Sequence, residues 1–179
     1  MELLPLPATE AAVRRFVEEC WLPYHRELEQ IVDAHALDDS VDLVAEEVAF
    51  RREWLREPDR TLWLAVEGTV DDPDAIAGSS ADLGGFVAIE RQTASPVFDR
   101  PDRVVIDDLY VRERHRGGGL AREFVDLAVD HADAHDCGEV TLDADVDNER
   151  AIAFYEKLGF EPYRQTMALP VASTLDRES

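Results

Sequence analysis

Lysine is almost missing from this chain: of 18 basic residues set against 40 acidic ones, only Lys157 is a lysine, and the formal net charge is −22. Binding to nucleic acid through its phosphates needs a patch of basic side chains to release counterions, and no such patch occurs, so a nucleic-acid partner is excluded as an expectation. Cysteine is equally scarce. Cys20 and Cys137 are the only two among 179 residues, too few for the disulfide framework of a small secreted domain, and Cys137 reads as a small buried hydrophobe. Long apolar runs are absent: nothing approaches the roughly 20 residues that span a bilayer, and no basic segment followed by an apolar run opens the chain. These absences predict a soluble cytoplasmic protein without a membrane partner. The acidic excess runs along the whole sequence instead of gathering in one patch. Its self-repulsion is screened when salt is plentiful, so the composition points to a halophilic, acidic protein more than to a surface built for a cationic ligand.

What is present suffices for a core. Apolar residues make up 45% of the chain, and 179 residues suit one domain, expected over 1–170 with a flexible tail over 171–179. The most legible stretch runs from 104 to 121. Val104, Val105 and Ile106 are a β-branched run, and Asp107, Leu109 and Val111 then alternate with Asp108 and Tyr110, placing the first three on one strand face. Gly117, Gly118 and Gly119 follow Arg116. Leu120, Phe124, Leu127 and Ala128 then recur at helical spacing. Glycines at the start of a helix let backbone N–H groups approach an anion closely, and a helix's first turn carries partial positive charge, so this loop suits a phosphate. There is no Gly-Lys-Ser/Thr, and no G-x-G-x-x-G, so two familiar nucleotide loops are set aside.

The remaining elements follow in order. A short strand over 1–6 precedes a helix opening at Thr9-Glu10, which Trp21-Leu22-Pro23 is expected to break or kink before helical spacing resumes through Leu28 and Ile31. Val41, Val44, Val48 and Leu55 mark another helix, and 61–66 a strand. An acidic connection leads to a strand over 84–89, and a loop over 92–101 leads to the central strand. After the glycine loop and its helix come a strand over 140–146, a helix capped by Asn148 and ended by Gly159, and a last strand over 160–169.

Arg116-Gly117-Gly118-Gly119-Leu120-Ala121 resembles the Arg/Gln-x-x-Gly-x-Gly/Ala signature of the GCN5-related N-acetyltransferase (GNAT) family. Asn148-Glu149-Arg150-Ala151-Ile152-Ala153-Phe154-Tyr155-Glu156-Lys157-Leu158-Gly159-Phe160 resembles its Asn-x-x-Ala-x-x-Phe-Tyr-x-x-x-Gly-Phe. The resemblance implies an α/β (α+β) fold with a mixed, largely antiparallel sheet of six to seven strands covered by helices on both faces. It implies acetyl-CoA as acyl donor, with its pyrophosphate on Arg116, Gly117, Gly118, Gly119, Leu120 and Ala121. It further implies that the pantetheine arm runs along Leu109, Tyr110 and Val111 near Asn148 and Tyr155, and that direct transfer to a small-molecule or peptide amine takes place in a ternary complex. Dimers are frequent in that family, which allows a homodimer.

Acetyl transfer requires a deprotonated amine, stabilisation of charge on the thioester oxygen, and a proton for the departing thiolate. In the resembled family the backbone N–H at the position of Leu109 serves the oxygen and a tyrosine matching Tyr155 serves the thiolate. Asp107 is the candidate base, with Asp108 or a water chain as competitors. The alternative is a non-catalytic acyl-CoA-binding sensor or structural module of the same fold. His131 and His135 stand four apart on a helix but lack the Glu of H-E-x-x-H, so no metal site is expected.

Overall fold

The computed structural model describes residues 1–70 and 72–169. By internal packing these fall into two units, Met1–Asp145 and a C-terminal unit that begins at Val146.

In the first unit, β-branched and aromatic residues build a five-stranded sheet. Its strands are β1 (Glu2–Pro5), β2 (Arg60–Glu67), β3 (Asp82–Gln92), β4 (Arg103–Val111) and β5 (Glu139–Leu142), and their order in the sheet is their order in the chain. The first four pair antiparallel, and β5 joins β4 in parallel. The parallel step requires a crossover, which α4 (Leu120–Ala134) supplies. Preceding β2 are α1 (Glu10–Phe16), α2 (Leu22–Leu28) and α3 (Leu43–Trp54).

The ladder sorts β3 and β4 into two faces. Phe86, Ala88, Asp108 and Tyr110 share one with Leu62 and Leu64, and here α1 and α3 close the core through Val13, Phe16, Val48 and Trp54. Phe16 meets Phe86 edge to face at 4.8 Å between centroids, both rings fully buried. The other face presents Val87, Ile89, Val104 and Ile106, and α4 packs against β3 and β4 with Phe124, Ala128 and Ala132 buried. Helices therefore cover both faces, as the sequence suggested.

Several sequence expectations are corrected. The chain does not break at Pro23. The Leu22 N–H donates to the Val17 carbonyl, five residues back, and a π-helical turn over Val17–Trp21 carries α1 into α2 with Pro23 in the first turn, where its missing N–H costs least. Five strands form among the described residues in place of six to seven. The strand expected over 160–169 is absent: Pro162 lacks a donor, no ladder partner is present, and Tyr163, Met167 and Leu169 are exposed. β5 stops at Leu142 instead of 146, because Asp143, Ala144 and Asp145 are poor strand formers and stay exposed. The tail expected over 171–179 lies outside the described residues.

The second unit is built on α5 (Glu149–Lys157). Asn148 caps it, its Oδ1 accepting from the Ala151 N–H at 3.2 Å, and Gly159 ends it at φ +95°. Tyr155 packs on Phe160 at 5.5 Å between centroids.

The Phe16–Phe86 contact leads to a prediction. Phe86→Ala should lower unfolding stability by about 3–5 kcal/mol, as a filled ring site between helix and sheet becomes a cavity; chemical denaturation checks this.

Candidate active site

β4 and β5 pair only as far as Ile106 with Leu142, so among the described strands the β4 edge from Asp107 to Val111 has a neighbour on the β3 side alone. The Arg112 N–H donates to the Gly84 carbonyl at 2.9 Å, which marks 112 and 84 as a hydrogen-bonded pair. Hydrogen-bonded and non-hydrogen-bonded pairs alternate in an antiparallel ladder. Leu109 opposite Val87 and Val111 opposite Gly85 are therefore the residues whose backbone groups face away from β3, toward the edge that β5 has left. Gly85 makes the close approach possible, since a Cβ there would lie 2.2 Å from the Tyr110 carbonyl oxygen.

A bulge interrupts this strand. Ile106 opposes Ile89 and Asp108 opposes Ala88, so Asp107 is the extra residue. The even alternation read from the sequence across Asp107, Leu109 and Val111 therefore fails at its first member, and a bulge re-aims the side chain at that point. The charges that act on Asp107 come from Glu90, Asp108, Arg51 and Arg60, of which Glu90 and Asp108 stand on the face opposite Leu109. Desolvation, then repulsion from Glu90 and Asp108, raises its carboxyl from 3.8 to about 6, although its side chain still reaches solvent. It has no hydrogen bond or salt bridge among the described residues. Nearby, burial lowers the His25 imidazole below its ordinary value, which keeps it neutral at neutral pH.

After β4 the chain makes a 3₁₀ turn over Glu113–His115, then Gly117 at φ +79° and Gly119 at φ +94° swing it into α4. Gly119 is the N-cap, and no side chain caps the helix. The Arg122 and Glu123 N–H groups donate to the Gly119 carbonyl, and those of Leu120 and Ala121 are left for solvent or a ligand. Beside them opens a cleft of about 300 Å³ lined by Met1, Arg114, His115, Arg116, Gly118, Leu120 and Glu123, where cations outnumber the one acid.

Arg116 is the most constrained of these. Its Nε donates to the Val111 carbonyl at 2.8 Å, its Nη2 pairs with Glu27 at 2.5 Å, and its guanidinium lies over the Tyr110 ring at 5.6 Å. Glu27 accepts from the Tyr110 hydroxyl at 2.6 Å as well. Burial and the Glu27 carboxylate together push that phenol above its ordinary range. One carboxylate on α2 thereby joins the end of β4 to the start of the glycine loop. Arg112 and Arg114 both pair with Asp82, with His115 on the same carboxylate at 3.1 Å. Glu67, Asp82 and His115 could offer three ligand atoms within 4.8 Å of one another. The two guanidiniums already there make that a poor place for a cation.

The family described as "Acetyltransferase (GNAT) family" matches residues 26–160. The chain belongs to the GNAT acetyltransferase family. N-alpha-acetyltransferase 30 of Saccharomyces cerevisiae is 36% identical over 58 residues, 32% of this chain and 33% of that protein. The chain thus matches only about a third of that relative's length. Among solved structures, the tetramutant of the BH1408 protein from Bacillus halodurans superimposes with a TM-score of 0.71 at 20% identity, covering 96% of this chain and 100% of that one. An aminoglycoside N-acetyltransferase, AAC(6')-Iy, in complex with CoA gives a TM-score of 0.61 at 14% identity, covering 94% of this chain and 93% of the other. At such identities these two likenesses show a shared fold.

Within this GNAT chain, Asp107, Leu109, Tyr110, Val111, Arg116, Gly117, Gly118, Gly119, Leu120 and Ala121 all lie in the first unit, along one continuous path from the open edge of β4 through the glycine loop into α4. Asn148 and Tyr155 lie in the second unit, as the cap and in the last turn of α5. Sequence reading missed Glu27, Glu47 and Arg51. The spacing of Glu47 and Arg51, one helical turn apart and followed by Trp54, was the available signal for the last two.

Asp107 makes stability depend on pH. Its folded-state proton affinity exceeds that of the unfolded chain, so the ionised carboxylate burdens the fold above about pH 6, and the burden vanishes where both states are protonated, below about 3.8. Asp107→Asn is expected to melt at a higher temperature than wild type at pH 7.5, the difference closing as pH falls from 6 toward 4; thermal melts across that range check it.

Proposed function

We propose that the protein is an acetyl-CoA-dependent N-acetyltransferase that moves an acetyl group to a primary amine by direct transfer in a ternary complex. One observation carries this reading: the backbone groups of Leu109 and Val111 face an edge of β4 that β5 has left, and that edge runs directly into a glycine loop and an uncapped helix N-terminus. An extended amide-bearing arm ending in a pyrophosphate fits such a path. The arm can add to the strand edge as another strand would, and the phosphates can meet the Leu120 and Ala121 N–H groups of α4 and the cations of the adjoining cleft. Acetyl-CoA has that form.

In this reading Asp107 takes a proton from the acceptor's ammonium group, directly or through one water, freeing the neutral amine to attack, and its raised proton affinity suits the task near neutral pH. The Leu109 N–H stabilises negative charge developing on the thioester oxygen, and a backbone donor fixed in a ladder does so without reorganising. Tyr155 returns a proton to the departing thiolate. Relatives support an amine acceptor: the yeast protein is named for N-alpha acetylation and the solved neighbour for aminoglycosides. The acceptor class here is accordingly a small-molecule or peptide amine.

Calorimetry of acetyl-CoA in molar potassium chloride tests the cofactor. Wild type should bind, and Arg116→Ala should bind at least about tenfold more weakly, the effect of removing a charge-assisted contact. Tyr155→Phe should bind as wild type does while releasing thiol about a hundredfold more slowly with a peptide or aminoglycoside amine. Absence of wild-type binding at every salt concentration overturns the proposal. Tight binding without thiol release for any amine replaces it with a non-catalytic acyl-CoA-binding module.

A further inference from the structure

Arg51 is the one charged residue buried in the described structure, at 3% exposure. It enters from α3 and meets two carboxylates: its Nε donates to Glu47 at 2.9 Å and its Nη2 to Asp108 at 3.4 Å. Its guanidinium is also packed against aromatic rings, 5.1 Å from the Trp54 centroid, 5.7 Å from Phe50 and 5.8 Å from Phe16. A buried charge of this kind is costly to assemble, and its removal strands both carboxylates without a partner.

The pairing around the bulge is selective. Glu47 and Asp108 share Arg51, while Glu90 on β3 takes Arg60 of β2 at 3.0 Å and Gln92 at 3.2 Å. Asp107 stands among these acids without such a partner, on the extra residue of the strand and at the point where the β4 edge opens. His25 of α2, held neutral by burial, also faces Asp108 and Arg51.

We propose that Arg51 is a positioning residue for acyl transfer: by pairing with Glu47 and Asp108 it anchors the bulge and leaves Asp107 the one carboxylate of the group held by no ion pair or hydrogen bond among the described residues. This rests on the reading of Asp107 as the base, but it makes a claim that can be tested without turnover. The full positive charge of Arg51 also limits how far Glu90 and Asp108 can drive Asp107 toward its neutral form. If Arg51 were lost, Asp107 would hold its proton to higher pH; if Glu47 were neutralised, Arg51 would act more strongly on Asp107, which would then release its proton at lower pH.

The experiment follows the carboxyl carbon of Asp107 by NMR titration of the full chain, the signal being assigned by its loss in Asp107→Asn. Arg51→Met is expected to move the midpoint up by about one pH unit, Arg51→Lys to keep it near wild type, and Glu47→Gln to move it down. A merely structural role for Arg51 would alter melting temperature in these variants without this ordered, opposite-sign pattern. If Arg51→Met does not fold, Glu47→Gln and Arg51→Lys still decide the matter. A midpoint unchanged in Glu47→Gln, or shifted alike in Arg51→Lys and Glu47→Gln, overturns the proposal. The acid limb of thiol release separates the two claims: a limb that follows the NMR midpoint supports both, whereas a midpoint that moves while the limb stays put supports the role of Arg51 and overturns Asp107 as base.

Discussion

A β-strand has two hydrogen-bonding edges, and the rest of this fold depends on how β4 uses its second one. Parallel pairing with β5 consumes that edge through Ile106 and then ends. Beyond that point β4 keeps its shape only because β3 is zipped along the other side through to Val111, with Gly85 allowing the two backbones to lie close. An exposed strand edge is ordinarily a liability that proteins blunt with bulges and charges. Here the bulge at Asp107 and the Arg116 guanidinium on the Val111 carbonyl bracket the opening, and between them Leu109 offers its backbone groups. The opening is thereby confined to one short span that leads to the glycine loop.

Charge is organised around the same span. Many of this protein's ion pairs are exposed contacts between arginine and a carboxylate, such as Arg56 with Glu53, and each contributes little on its own. Two contacts differ in kind. Arg51 sits in the core with Glu47 and Asp108, and Glu27 ties Tyr110 to Arg116. Both link a helix of the N-terminal half to the open segment of β4 or the loop after it. The helices α2 and α3 therefore cover the sheet and also fix the residues on which the proposed chemistry depends.

The strand, glycine loop and helix from Val104 to Ala132 were legible because local rules govern them: β-branched runs, positive φ at Gly117 and Gly119, and apolar residues at helical spacing. The cap at Asn148 and the stop at Gly159 were legible for the same reason. The bulge was not, since it is a mismatch between β4 and β3 and appears in neither strand alone. Arg51 was hidden in an Arg-Arg pair that reads as a solvated helix face; only the tertiary surroundings of Phe16 and Asp108 show which of the two points inward. Pro23 misled because a proline was weighed against an α-helix, whereas the wider π-turn before it accommodates the missing donor. The segment over 160–169 misled because Pro162 cannot donate to a ladder and Tyr163, Met167 and Leu169 stay exposed.

The near-total use of arginine in these ion pairs has a chemical consequence. A protein that holds a reactive thioester places an acyl donor beside its own surface, where neutral amines compete with the intended acceptor. A lysine gives up its proton readily when partly buried, whereas a guanidinium remains charged and non-nucleophilic under any physiological condition. The network of Arg15, Arg26, Arg51, Arg60, Arg91 and Arg116 supplies the cations that balance so acidic a chain, yet presents no nitrogen that can be acylated. Among the chain's basic side chains only Lys157 carries an amine that a thioester could acylate. In the proposed reaction, these arginine cations would thus stay inert to the acyl donor.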